Sequence, residues 1–292
     1  MKKVIDIIPS RLRTRLRPLL ENLSLLTPLN PITPEQILLT AYKRIGILNY
    51  ETDKLSGEDF LLRQIIPKLL KNRKPICFDV GANLGDYTSK LLKALPSAEV
   101  HAFEPALETY SKLINNIQGK NVHFVAKGLS DHAGTESFFD YGDSPASTHA
   151  SLYKEVFTLL HQPTKIRSFD VEMTTIDLYC KSKQIKLIDF IKIDTEGNEL
   201  TVLKGAESLI SAGGLPIIQF EFNEMNIISR SFLKDFYGFL DGYSFFRLMP
   251  NGLLPLGPYT SRNEIFAFQN ILAIRKDVCS SSDLTSFSII AH

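Results

Sequence analysis

The stretch Ile76-Cys77-Phe78-Asp79-Val80-Gly81-Ala82-Asn83-Leu84-Gly85-Asp86-Tyr87-Thr88 decides how the chain is read. Ile76, Phe78 and Val80 supply strand-forming bulk. Gly81 and Gly85 allow a tight turn and a close approach of backbone to a ligand. From Asp86 to Leu95, Tyr87, Leu91, Leu92 and Leu95 recur at helical spacing. Strand, glycine loop and helix together predict a ligand cradle at the carboxyl end of a parallel strand. Two glycines alone are equally compatible with a structural turn, so the surroundings decide.

The loop is not the G-x-G-x-x-G of a dinucleotide site. Its glycines stand four apart, and Asp79 lies two residues before the first. A carboxylate there repels a pyrophosphate, which is held by bare N–H groups at a helix start. It suits a cation instead, and S-adenosylmethionine carries an ammonium and a sulfonium with no phosphate. The next apolar run, Glu99-Val-His-Ala-Phe-Glu-Pro105, ends on Glu104. An acid about 20 residues beyond the loop, at the end of the second strand, suits a pair of ribose hydroxyls. A helix-capping glutamate is the competing reading. Pro105 marks the strand end.

Five segments then line up: Phe-Asp-Val-Gly-Ala-Asn-Leu-Gly (78–85), Phe-Glu-Pro (103–105), Gly-Leu-Ser-Asp (128–131), Ile-Lys-Ile-Asp-Thr-Glu-Gly-Asn-Glu-Leu (191–200) and Leu-Lys-Gly-Ala (203–206). Over about Pro75 to Lys276 the chain resembles the FkbM family of S-adenosylmethionine-dependent methyltransferases. Lys-Ile-Asp-Thr-Glu-Gly is the specific part, because the glycine loop fits any class I methyltransferase. The resemblance implies methyl transfer to a hydroxyl oxygen on a sugar or polyketide-type product. It implies a small-molecule or glycan acceptor. It also implies a Rossmann-like α/β fold, with a mostly parallel seven-stranded sheet ending in an antiparallel hairpin. Asp79, Gly81, Asn83, Gly85 and Glu104 would hold the cofactor. Relatives of this kind carry an acid after the third strand for the adenine amino group. Here the nearest polar groups are Ser130 and Asp131.

Composition is that of one ordinary catalytic domain with an extension: 292 residues, 44% hydrophobic, formal net charge +1. That balance gives no footprint for nucleic acid. Cys77, Cys180 and Cys279 are too few and too scattered for a disulfide framework or a CxxC metal site. The expectation is a reducing, cytoplasmic setting, with no signal peptide and no membrane span. The first twenty residues are basic and amphipathic, with Lys2, Lys3, Arg11, Arg13, Arg15 and Arg17 among spaced leucines. Such a segment lies on an anionic membrane or forms a solvated helix face. Thr33-Pro-Glu-Gln opens a helix that Gly46 ends, and Ser56-Gly-Glu-Asp-Phe opens another toward Lys71. The expected layout is a helical extension over 1–72, the catalytic domain over 73–276 and a fraying tail over 277–292.

Further on, Leu107–Ile117 reads as a helix and Asn121–Ala126 as the third strand, where His123, alternating with Val122 and Phe124, reads as a surface-facing or satisfied histidine in preference to a ligand. Residues 135–175 read as an insertion. Two strands, 136–141 and 167–173, flank a polar loop in which Ser147, Thr148 and His149 could reach a ligand. Thr174-Thr-Ile-Asp then opens a helix with threonine as its cap. Ile188–Asp194 is the fourth strand, beside the first. Lys192 and Asp194 share a face by alternation, and a lysine inside a doubly covered sheet needs a partner. A helix over 198–210 follows, then a fifth strand over 215–223 and two last strands, 243–249 and 265–274.

Asp194 and Glu196 are therefore the catalytic candidates, with Lys192 tuning their charge. An alcohol is a poor nucleophile, and a base at the end of this strand would activate it. A salt bridge of purely structural role is the alternative. So is a Mg²⁺ site built from Asp194, Glu221 and Asn223, and so is a non-catalytic binding module on the same fold. The predicted reading assigns no metal.

Overall fold

A computed structural model describes residues 32–71, 73–141, 150–161, 165–278 and 287. The basic segment before residue 32, the loop residues Ser147, Thr148 and His149, and Cys279 lie outside the described residues. The chain divides between Ala41 and Tyr42, and everything that builds the sheet lies in the second unit. The helix Pro34–Arg44 opens on the predicted cap. Thr33 Oγ1 accepts from Gln36 N at 3.2 Å, and Gln36 Oε1 accepts from Thr33 N at 3.0 Å.

Eleven strands are described: β1 Ile76–Val80, β2 Glu99–Phe103, β3 Val122–Val125, β4 Gly128–Leu129, β5 Gly134–Tyr141, β6 Ile166–Thr174, β7 Phe190–Ile193, β8 Ile217–Phe222, β9 Tyr243–Met249, β10 Gly252–Pro255 and β11 Gln269–Arg275. The main sheet runs β10-β9-β11-β8-β7-β1-β2-β3. β1 is central, parallel to β2 on one side and β7 on the other, and β8 continues the parallel run. β11 is antiparallel to both β8 and β9. This is the expected Rossmann-like sheet with an antiparallel end, but it has eight strands instead of seven. The extra one, β10, folds back on β9 where Pro250 and Asn251 make a tight turn. Pro255 is tolerated there because β10 is an edge strand.

Period-two alternation sorts the strands' apolar residues onto two faces. Cys77, Val100, Phe190, Ile217 and Leu272 face a core closed by Leu61, Leu62, Ile65 and Leu91. Phe78, Phe103, Ile191, Ile218 and Ile271 face the other, closed by Ile176, Tyr179, Leu203 and Phe236. The segment before β1 thus packs into the same core as the sheet, and the domain starts well before residue 73. Its predicted helix is interrupted. Asp53–Ser56 stops at Gly57, whose φ is +86° and whose added Cβ would sit 2.7 Å from the Met249 carbonyl oxygen. The helix then resumes and widens to a π-turn over Leu61–Ile65, just before Pro67, which has no N–H to continue an α ladder. Phe287, in the stretch predicted to fray, is buried, and its carbonyl accepts from Leu253 N at 2.8 Å.

The insertion forms its own small sheet, β4-β6-β5, with β5 and β6 antiparallel from Gly134↔Met173 to Tyr141↔Ile166. After β7, the helix expected over 198–210 is two pieces, Glu199–Lys204 and Glu207–Ser211. They break at Gly205, where an added Cβ would lie 2.0 Å from the Ser130 carbonyl oxygen. We expect Gly205→Ala to destabilise the fold by at least about 1–3 kcal/mol, because the colliding atom is backbone. Urea unfolding should show a lower midpoint at unchanged slope.

Candidate active site

The chain order reverses at β1, so the carboxyl ends of β1 and β7 open a crevice. A cavity of about 360 Å³ sits there. Gly81, Asn83, Glu104, Lys192, Asp194 and Glu196 line it, together with Glu58, Tyr87, Phe138, Leu152, Met173 and Glu221. Seven carboxylates and three lysines border this space, so its charge favours a cationic ligand and disfavours a pyrophosphate.

Gly81 is where the two strand ends meet. Its φ is +80°, and an added Cβ would stand 1.9 Å from the Asp194 carbonyl oxygen. No side chain fits between the loop after β1 and the turn after β7. Gly81 N and Ala82 N both donate to the Phe103 carbonyl, at 3.0 and 2.9 Å. Asn83 follows in the left-handed region at φ 50°, and its buried Oδ1 has no hydrogen-bond partner among the described residues. Glu104 closes the loop: Oε2 accepts from Asn83 N at 3.0 Å and Oε1 from Ala106 N at 2.9 Å. Burial raises its carboxyl to about 7 in spite of those two bonds.

Asp79 is wholly buried beneath the cavity instead of lining it. Oδ2 accepts from the Thr88 hydroxyl at 2.5 Å, while Oδ1 lacks a hydrogen-bond partner among the described residues. Gly85 also faces away from the cavity. Its added Cβ would meet Ile117 and Leu113 at 2.7 and 2.8 Å, so this glycine serves helix packing. Ser130 is buried and Asp131 is exposed on His132. Neither lines the cavity; Lys127, Gly128 and Leu129 do.

Asp79, Lys192 and Gln219 stand side by side on β1, β7 and β8, as the register pairs Asp79↔Lys192 and Lys192↔Gln219. Lys192 Nζ donates to Asp194 Oδ2 at 2.6 Å and lies 4.9 Å from the centre of the Tyr87 ring. Tyr87 donates to Gln219 Oε1 at 2.5 Å, and Gln219 Nε2 donates to Glu58 Oε1 at 2.8 Å. Burial pulls the Lys192 ammonium down, but Asp194, Glu58 and Asp79 together hold it above its ordinary value. The acids feel the reverse. Burial raises Glu58 and Asp79, and Lys192 only partly offsets it. Burial pushes Glu221 well up, and Asp194 and Glu196 push it further.

The turn after β7 is held by an acid that sequence reasoning passed over. Glu199 Oε1 accepts from Thr195 N at 2.9 Å, Gly197 N at 3.1 Å and the Thr195 hydroxyl at 3.2 Å. This fixes Glu196 at φ 54°, a region that costs a non-glycine residue about 1–2 kcal/mol. Glu58 was passed over as well: it comes from the segment before β1 and left no local motif. The oxygens of Asp194, Glu221 and Asn223 do not form an open triad. Asn223 Nδ2 donates to Glu221 Oε1 at 2.6 Å, its Oδ1 accepts from Met225 N at 2.8 Å, and Asp194 is bound to Lys192.

The family described as "Methyltransferase FkbM domain" matches residues 79–243. The chain belongs to this family, whose methyl donor is S-adenosylmethionine. It is 29% identical over 157 residues to methyltransferase sdnD of Sordaria araneosa, a match covering 46% of this chain and 61% of that protein. It is 25% identical over 167 residues to the hexuronic acid methyltransferase AglP of Haloferax volcanii, covering 56% and 63%. The matches therefore span about three fifths of the length of these relatives. A solved O-methyltransferase of Bacillus cereus is similar at 14% identity with a TM-score of 0.42, covering 88% of this chain and 96% of that one.

The residues present fit the family's donor. The unpartnered Asn83 Oδ1, the bare backbone at Gly81 and the surplus of carboxylates each suit a ligand with amine, hydroxyl and cationic groups. Glu104 gives a test of the electrostatics. Its folded value of about 7 lies above the ordinary 4.5. Between those pH values the unfolded chain loses the proton first, so stability falls as pH rises through the window. Glu104→Gln does not titrate. We expect its stability relative to wild type to improve by about 3 kcal/mol between pH 4.5 and 8, read by urea unfolding at both ends.

Proposed function

We propose that this chain transfers a methyl group from S-adenosylmethionine to a hydroxyl oxygen of a small-molecule or glycan acceptor. The observation that carries this reading is the contact between Gly81 and the Asp194 backbone, which puts the donor loop and the acids after β7 in one cavity. Gly81, Asn83 and Glu104 would hold the cofactor, with Asp79 beneath its amino-acid end. Bound there, S-adenosylmethionine supplies an electrophilic methyl on a sulfonium.

The chain's own part is to orient the acceptor, exclude water and take a proton. Phe138, Leu152 and Met173, from the insertion, give the cavity an apolar wall. Asp194 or Glu196 accepts the acceptor's hydroxyl proton, and Lys192 orients Asp194 through a 2.6 Å hydrogen bond. Uronic acid glycosides make a sensible first acceptor panel, given the name of the Haloferax relative.

Two experiments test the proposal. Calorimetry with S-adenosylhomocysteine should give one site, and Glu104→Ala should weaken it about ten- to hundredfold through lost charged hydrogen bonds. Unchanged affinity would remove Glu104 from the cofactor site. Asp194→Asn and Glu196→Gln should keep cofactor affinity but lower single-turnover transfer by about 10²–10⁴. The salt-bridge alternative predicts a large loss of melting temperature with transfer intact per folded molecule. Glu58 and Asp79 remain near the Lys192 ammonium in Asp194→Asn, so we expect that loss to be small.

A further inference from the structure

A second group of polar side chains lies outside the cavity, toward the amino end of β2 at the free edge of the main sheet. Glu99 and His101 stand two apart on β2, and the register sets His123 of the edge strand β3 directly beside His101. The two imidazoles stack with centres 4.5 Å apart and planes 16° from parallel. Both present Nε2 to one oxygen: Glu99 Oε1 lies 3.2 Å from His101 Nε2 and 3.0 Å from His123 Nε2. The three ligand atoms lie within 4.8 Å of one another.

His101 carries the argument. Its side chain is 2% exposed, yet its Nε2 has no hydrogen bond of acceptable geometry among the described residues. Its other nitrogen, Nδ1, lies 2.8 Å from the Tyr179 hydroxyl. A ring fixed at Nδ1 by an outer partner, with a bare Nε2 aimed at a carboxylate, is how metal-bound histidines are held. The 3.2 and 3.0 Å from Glu99 Oε1 to the two Nε2 atoms approach the roughly 3.3 Å between ligands about 2.0–2.1 Å from a tetrahedral zinc, and the half-exposed His123 ring would turn out of its stack to complete the site. Glu99 and His123 are each about half exposed, 48% and 49%, which leaves a position for water. Lys183 adds a positive charge nearby, so the carboxylate is needed to offset it.

We propose that Glu99, His101 and His123 bind one divalent transition cation of the zinc type, with Tyr179 positioning His101. Two imidazoles and one carboxylate select such a cation over Mg²⁺ or Ca²⁺, which take oxygen ligands. The ion clips the edge strand β3 to β2, away from the donor loop, and has a structural role.

The test uses the full-length chain, stripped with chelator and titrated with Zn²⁺. We expect one equivalent by calorimetry and a melting temperature that rises with Zn²⁺, saturates, and ignores Mg²⁺. Co²⁺ in its place should give the visible absorption of a tetrahedral N/O site. Glu99→Gln and His123→Ala change exposed side chains and should keep the metal-free melting temperature while losing both signals. Tyr179→Phe should weaken binding about 10–100-fold. No stoichiometric binding to the wild-type chain, meaning a hydrogen-bonded glutamate–histidine cluster only, would overturn the proposal. So would Zn²⁺ binding that survives in both variants.

Discussion

A lysine ammonium inside a sheet covered on both faces is stable only where carboxylates surround it, and the site is built on that constraint. Lys192 sits on β7 between Asp79 of β1 and Gln219 of β8. Burial raises Glu58, Asp79 and Glu221, and the carboxylates around Lys192 hold its ammonium above its ordinary value in spite of burial. Each neighbour depends on the next. Asp194 is oriented by Lys192, Gln219 is bridged between Tyr87 and Glu58, and Glu58 ties the segment before β1 to β8. Removing Lys192 would therefore disturb three strands and the segment that precedes them.

The second constraint is steric. The loop after β1 and the turn after β7 approach so closely that only glycine fits at position 81. Two cavity-lining residues, Asn83 and Glu196, pay with left-handed backbone, at φ 50° and 54°. Strain of this kind persists where neighbours over-determine it. Glu104 holds the first through Asn83 N, and Glu199 holds the second through Thr195 N and Gly197 N. Both acids are raised to about 7 by burial. The same groups thus fix the shape of the turns on either side of the cavity.

Much of this was legible in the chain. Alternating apolar runs give β1, β2, β7 and β8, and Gly81 and Glu104 take the places their spacing implies, because those signals are local. Lys192 and Asp194 pair as period-two alternation requires. What failed depends on contacts far apart in sequence. Gly205 looks harmless inside a helical pattern; only the Ser130 carbonyl lying against it breaks the helix. Gly85 reads as a ligand glycine, but Leu113 and Ile117 explain it. Glu58 carries no motif, since its role comes from a partner 161 residues away. The extra strand β10 hides in four residues, two of them leucines, within a turn-rich stretch.

This division bears on how the cavity could be specialised. The donor side is made of motif residues on β1, β2 and β7, whose geometry leaves little freedom. The opposite walls come from elsewhere: Tyr50 and Glu58 from the segment before β1, and Phe138, Leu152 and Met173 from the insertion. The insertion forms a sheet of its own, so its wall can vary without disturbing the loop at Gly81, whereas the segment before β1 also closes one face of the main sheet. Charge acts in the same direction. A carboxylate surplus favours a cationic ligand and loses that hold once the ligand's positive charge is discharged. On the proposed reaction the neutral thioether is therefore held less well than the sulfonium, and the cavity's carboxylate surplus becomes a driving force for exchange. On that proposal, acceptor choice rests mainly with the insertion's wall, and donor exchange with the row on the sheet.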